Sequence, residues 1–141
     1  MMNVLVTGGA GYIGSHVVEE LQKNGFTPIV YDNLSTGHAA AVPEEVQLVE
    51  GDIHDVAFLK HIMAQFEIDA VIHFAASSLV GESMENPSKY YFNNVEGSLH
   101  LLEAMKGAGV DYIVFSSTAA VYGAVSYTES LREFPLKRTA V

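Results

Sequence analysis

The sequence contains no cysteine, which removes disulfides, thiolate metal sites and cysteine nucleophiles together. Cations are scarce as well: 7 Lys and Arg stand against 17 Asp and Glu, a net charge of −10. Such a field repels nucleic acid and anionic lipid at long range, so no nucleic acid and no membrane is expected as a partner. No apolar run approaches the roughly 18 residues that a membrane span needs. The opening Met1-Met2-Asn3-Val4-Leu5 lacks the basic n-region of a secretory signal, so the expected location is the cytoplasm. The six histidines also lack metal-ligand spacing. Their nearest approach is His54-Asp55 with His61 on one helix flank, and no metal site is expected. Any anionic ligand must therefore be held by local dipoles rather than by the overall field.

What is present fits one soluble globular domain: 141 residues, 49% hydrophobic and 17% charged. A short β-branched run over 4–7 is closed by glycines. Apolar residues at Ile13, Val17, Val18 and Leu21 follow, which predicts a strand, a tight turn and an amphipathic helix over 12–23. Asn24-Gly25 stops that helix. Strands are expected over 27–31, ending at Asp32, then over 46–50, 70–74 and 112–115, with a Ser/Gly/His/Ala loop over 33–43. A helix over 55–66 presents Val56, Leu59, Ile62, Met63 and Phe66. A long helix from Pro87 to about Lys106 presents Val95, Leu99, Leu102 and Met105, with Gly107 and Gly109 ending it. His73, inside an apolar strand, reads as a hydrogen-bonded core histidine. The alternation predicts an α/β domain with a parallel sheet, helices on both faces and right-handed crossovers. The domain is expected over 1–123. The irregular tail over 124–141 holds three of the seven basic residues, Arg132, Lys137 and Arg138.

The first turn reads Thr7-Gly8-Gly9-Ala10-Gly11-Tyr12-Ile13-Gly14. A glycine triplet alone is weak evidence, but this one sits between a strand and a helix. Gly8 permits the tight turn, Gly11 lets backbone approach a pyrophosphate at the positive end of the helix dipole, and Gly14 lets helix and strand pack closely. Asp32, about 20 residues on, can accept hydrogen bonds from an adenosine ribose; the plainer reading is a solvated strand-end aspartate. No Lys or Arg lies between Lys23 and Lys60 to meet the extra phosphate of NADP, so the expected cofactor is NAD. Asp52 can accept from an adenine amino group with Ile53 against the ring, and Asp52 reads equally as part of a helix N-cap. Small residues in Phe74-Ala75-Ala76 leave room for the cofactor's ribose and diphosphate.

These motifs occur in a telling order: the glycine turn, Asp32-Asn33, Asp52-Ile53, His73-Phe74-Ala75-Ala76, Val80-Gly81-Glu82-Ser83, Asn93-Asn94-Val95 and Phe115-Ser116-Ser117-Thr118. Over about residues 2–123 the set resembles the N-terminal part of the UDP-glucose 4-epimerases, which are extended short-chain dehydrogenase/reductases. The resemblance implies a Rossmann-like doubly wound parallel sheet, here incomplete, lacking the later strands and the C-terminal substrate domain. It implies NAD-dependent epimerisation at C4 of a UDP-hexose: a tyrosine takes the hydroxyl proton, hydride passes to the cofactor, and the keto sugar turns and takes it back on the other face. Thr118 falls where the family's serine or threonine hydrogen-bonds the reacting oxygen; it also reads as a strand-end hydroxyl capping backbone. Ala119-Ala120 stands where related 4,6-dehydratases carry an acidic pair, which disfavours dehydration. Some members carry a lysine at the position of Ser78, where serine adds no charge. Asn93 is the cofactor-side member of the asparagine pair, with Asn94 as alternate. Family members often pair through helices of the 87–106 region, so a homodimer is also implied.

The catalytic tyrosine of this family belongs to a Tyr-x-x-x-Lys pair. None of the seven tyrosines here has a lysine four positions on. Glu133-Phe134-Pro135-Leu136 resembles the segment shortly before that tyrosine, and the expectation is a truncation or frame shift just beyond it. Three readings stay open: an epimerase chain, inactive as it stands and able to meet a UDP-sugar only with its C-terminal part supplied; an NAD-binding half-domain without turnover; and a gene fragment without activity.

Overall fold

A computed structural model describes residues 1–117, and the tail, Thr118 and the Ala119-Ala120 pair lie outside them. Five strands form one sheet: β1 (Asn3–Thr7), β2 (Thr27–Asp32), β3 (Gln47–Glu50), β4 (Ala70–His73) and β5 (Tyr112–Phe115). Every neighbouring pair is parallel and the order is β3-β2-β1-β4-β5. The chain therefore builds outward from β1 to β3, then crosses to the other side of β1 to lay down β4 and β5. The carboxyl ends of β1 and β4 flank this switch, which is where an open parallel sheet leaves a crevice for a ligand.

The strands are buried on both faces because their alternate side chains feed two cores. Val4, Val6 and Val30 point toward Val18 of helix α1 (Tyr12–Lys23), with Val42 and Val46 beside them. Leu5, Ile29, Tyr31 and Val71 point the other way, onto Leu59, Ile62 and Met63 of α2 (Val56–Gln65) and Leu101, Ala104 and Met105 of α5 (Gly97–Ala108). This is a sheet with helices on both faces, as the alternation predicts. The expected bounds of α1 match residue for residue, with Asn24 at its C-cap and Gly25 at φ +80°. Within the 33–43 loop, Ala39–Ala41 makes one 3-10 turn.

The region after β4 departs from expectation. A short helix, α3 (Val80–Glu85), precedes α4 (Pro87–Tyr90), and a π-helical stretch (Tyr91–Glu96) joins α4 to α5. The predicted inward face is also displaced: Val95, Leu99 and Leu102 are 52%, 59% and 47% exposed, and of the expected set only Met105 is buried. The buried row of α5 is instead Gly97, Leu101, Ala104 and Met105. The smallest residue of the row takes a close contact: a Cβ on Gly97 would stand 2.4 Å from Ile53 Cδ1. Among the described residues, no helix is long and apolar enough to cross a membrane.

Candidate cofactor site

Thr7 ends β1, and the next four residues turn the chain into α1 with contacts that leave no room for side chains at two points. Gly8 has φ +76°, and a Cβ on it would lie 2.6 Å from the backbone nitrogen of Ala75. The glycine turn is thus pressed against the end of β4. A Cβ on Gly14 would lie 2.2 Å from the Gly8 carbonyl oxygen, so the first turn of α1 rests directly on the turn before it. Gly11 differs: a Cβ there would meet only the Gly8 oxygen, at 3.3 Å, and its other side is open. Among the described residues no side chain caps α1, and no acidic residue sits in its first turn. Its leading N–H groups, with exposed Tyr12 and Ile13 beside them, form the positive end of a helix dipole suited to an anion.

Asp32 ends β2 next to this turn. It is only 7% exposed, so the solvated reading does not hold. Its two carboxylate oxygens accept the Ala10 N–H at 3.0 Å and the Leu34 N–H at 2.9 Å. Each oxygen keeps a lone pair, enough for a pair of ribose hydroxyls. Gly37, which sequence reasoning passed over, packs here: its Cβ would be 3.0 Å from Asp32 Oδ1, and the His38 N–H donates to the Ala10 carbonyl at 3.0 Å. The signal available was the run of small polar residues just after the strand-end carboxylate.

Asp52 follows β3 and is half exposed. Burial works against its ionisation, but hydrogen bonds from the His54 N–H, the Asn33 amide and the His54 ring outweigh it and hold the carboxyl below its usual range. Asn33 Nδ2 donates to Asp52 Oδ2 at 3.0 Å, which joins the ends of β2 and β3. The N-cap of α2 is Asp55, which accepts the Phe58 N–H at 2.9 Å; Asp52 does not serve it. Ile53 also departs from expectation. Its side chain is 5% exposed and packed in the core under Gly97, so only its backbone can face a ring. His54 turns to Asp52 and stacks on Phe92 with centroids 4.2 Å apart.

On the opposite wall, Phe74 and Ala75 are half-buried and Ala76 is exposed at the end of β4. The asparagine pair on the π-helical stretch holds this wall. Asn93 Nδ2 donates to the Ala75 carbonyl at 3.3 Å. Asn94 clasps Ser77, accepting its N–H at 2.8 Å and donating to its carbonyl at 2.9 Å. Asn94 is therefore committed to the loop, and Asn93 is the member beside Ala75. His73 is 2% exposed and hydrogen-bonded, as a core histidine should be. Among the described residues, no group of three or more His, Cys, Asp or Glu side chains could hold a metal ion.

Comparison with known proteins agrees with this geometry. The profile of the NAD dependent epimerase/dehydratase family matches residues 4–140. The chain is 55% identical over 122 residues to a UDP-glucose 4-epimerase of Lactobacillus helveticus, covering 86% of this chain and 37% of that protein. It is 48% identical over 138 residues to one of Lacticaseibacillus casei, covering 98% of this chain and 40% of that protein. Among solved structures, the UDP-glucose 4-epimerase of Brucella ovis in complex with NAD superposes with a TM-score of 0.83 at 52% identity, over 91% of this chain and 39% of that one. The chain thus spans about two fifths of the length of the relatives it matches. A match that runs nearly end to end, on a parallel sheet whose glycine turn, Asp32 and β4 wall converge at one crevice, makes this chain a member of the NAD-dependent epimerase/dehydratase family.

Proposed function

We propose that this chain is the NAD-holding part of a UDP-glucose 4-epimerase. The observation that carries the reading is the junction of β1, α1 and β4, where an uncapped helix N-terminus opens beside a turn that only glycine fits. Gly8, Gly11, Tyr12, Ile13 and Gly14 take the diphosphate. Asp32 and Asn33 face the adenosine ribose, and Asp52 with the backbone of Ile53 faces the adenine. Phe74, Ala75, Ala76 and Asn93 line the remaining ribose. With no Lys or Arg between Lys23 and Lys60, the site favours NAD over NADP. When bound, NAD supplies a reversible hydride acceptor; these residues bind it, orient it and exclude water.

The substrate proposed is a UDP-sugar, met once the remainder of such an enzyme is supplied. Thr118 is proposed to hydrogen-bond the reacting oxygen. The proton-accepting tyrosine is not among these 141 residues, since none of the seven tyrosines is followed by lysine at the fourth position. Ala119-Ala120 supports epimerisation over dehydration, because neither residue can act as acid or base. The exposed row Val95, Leu99 and Leu102 supports a homodimer built on α5 and the π-helical stretch before it.

The test is cofactor content. The purified chain, denatured, should release close to one NAD per chain and no NADP, and it should not convert UDP-galactose to UDP-glucose. A folded chain that neither carries NAD nor binds it when added overturns the cofactor reading. Turnover by these 141 residues overturns the requirement for the tyrosine–lysine pair.

A further inference from the structure

His73 is buried at the end of β4 and has no part in the contacts proposed for NAD. Both its ring nitrogens are engaged: Nδ1 lies 2.7 Å from Thr7 Oγ1 and Nε2 lies 3.3 Å from Ser98 Oγ. The Ser98 hydroxyl donates its one proton to the Asn94 carbonyl at 2.7 Å. Ser98 must therefore accept from His73, which puts the ring proton on Nε2 and leaves Nδ1 bare. Thr7, in turn, must donate to Nδ1. The network fits one neutral tautomer, and burial pushes the imidazole pKa down to about 4.

The two ends of this relay are the two walls of the crevice. Thr7 directly precedes Gly8 and the glycine turn. Asn94, which Ser98 engages through its carbonyl, clasps both backbone groups of Ser77 in the β4 wall. We propose that His73 is a positioning residue which, by bridging Thr7 to Ser98 and Asn94, sets the gap between the glycine turn and the 75–77 wall and hence the fit of the diphosphate and the nicotinamide-side ribose. This rests on the NAD reading above. The adenosine end, at Asp32 and Asp52, lies outside the relay.

That asymmetry gives the test. Affinities for NAD and for adenosine, which carries no phosphate, are measured on the full chain and on His73→Gln, Thr7→Val, Thr7→Ser and Ser98→Ala. Leaving a buried partner unpaired should raise the NAD dissociation constant about tenfold in T7V and H73Q, with adenosine changed by less than about twofold. T7S, which restores the hydroxyl, should recover NAD affinity. Nitrogen-15 NMR of the parent chain should show His73 protonated at Nε2 alone. Should T7V fail to fold, S98A carries the same comparison from the partly buried end of the relay. Parallel losses of NAD and adenosine affinity in folded variants, unchanged NAD affinity, or a proton on Nδ1 overturn the positioning role alone. A folded parent chain that binds neither ligand overturns the NAD reading, and the positioning role with it.

Discussion

A single methyl group separates two outcomes at the glycine turn. On Gly14 it would meet the Gly8 carbonyl at 2.2 Å and Gly9 Cα at 2.7 Å, and backbone cannot swing aside as a flexible side chain does. Gly14→Ala should therefore lower stability by about 1–3 kcal/mol, read as a lower urea midpoint, and weaken NAD binding with it. On Gly11 the methyl has one neighbour at 3.3 Å and otherwise points into the open crevice. Gly11→Ala, at the N-cap of α1, should lower the urea midpoint less than Gly14→Ala does and still weaken NAD binding, because the lost space is the ligand's. Equal stability losses in the two variants would sink this division. His73 adds a pH dependence. Its folded-state pKa of about 4 lies below the ordinary 6.5 because burial disfavours the charged ring. As pH falls through this window, the unfolded chain takes up a proton that the folded chain refuses, so stability declines. At about 1.4 kcal/mol per pH unit the full loss is about 3 kcal/mol. His73→Gln removes that contribution: its urea-derived stability should fall less than the parent's between pH 7 and 4.5, whatever its starting value. Equal declines would contradict the burial of a neutral ring.

Elements were legible where a cap or a breaker accompanied the apolar pattern. Helix α1 has glycines before it and Asn24-Gly25 after it, and its bounds follow from the sequence. Helix α2 shows how a cap can be misassigned by three residues. Asp52 and Asp55 both precede the apolar run, and only geometry reveals that Asp55 accepts the Phe58 N–H while Asp52 bonds His54 and Asn33. Asp55→Ala should accordingly cost about 1 kcal/mol of stability, a typical value for a lost N-cap, with little effect on NAD affinity, whereas Asp52→Ala should weaken NAD binding more than it lowers the urea midpoint. The reverse ranking would return the cap to Asp52. Helix α5 was misread for a different reason. With the π-helical stretch before it, it carries two rows, and counting large apolar side chains selects Val95, Leu99 and Leu102 over one that begins with Gly97 and includes Ala104. Close helix packing favours the small residues, since Gly97 receives the Ile53 side chain. No apolar count carries that preference. The same contact explains Ile53, whose expected place against an adenine ring is filled by the core. Asp32 and the glycine turn were readable because their chemistry depends on residue type and spacing. The Thr7–His73–Ser98 relay was not, because it joins positions 66 and 25 residues apart.

At the scale of the whole molecule, the same acidity that argues against nucleic acid also bears on the cofactor. The chain carries a net charge of −10 and no Lys or Arg between Lys23 and Lys60, the stretch that holds Asp32 and Asp52. On the proposed reading, a dinucleotide approaching the crevice between β1 and β4 is therefore repelled at a distance and would be held only within reach of the first turn of α1. These two forces respond differently to salt. Repulsion between exposed charges is largely screened beyond about 10 Å at 0.1 M ionic strength, whereas backbone N–H groups pressed against a diphosphate are screened much less. The association rate for NAD should consequently rise as salt is raised from about 0.01 M to about 0.1 M, with the dissociation constant unchanged or lower. Stopped-flow quenching of tyrosine fluorescence reads both quantities. A phosphate site built on lysine or arginine behaves in the opposite way and loses affinity with salt. A falling affinity here would mean that a cation reaches the diphosphate, and the account of a site held by dipoles and by Asp32 would have to give way to one held by a cation.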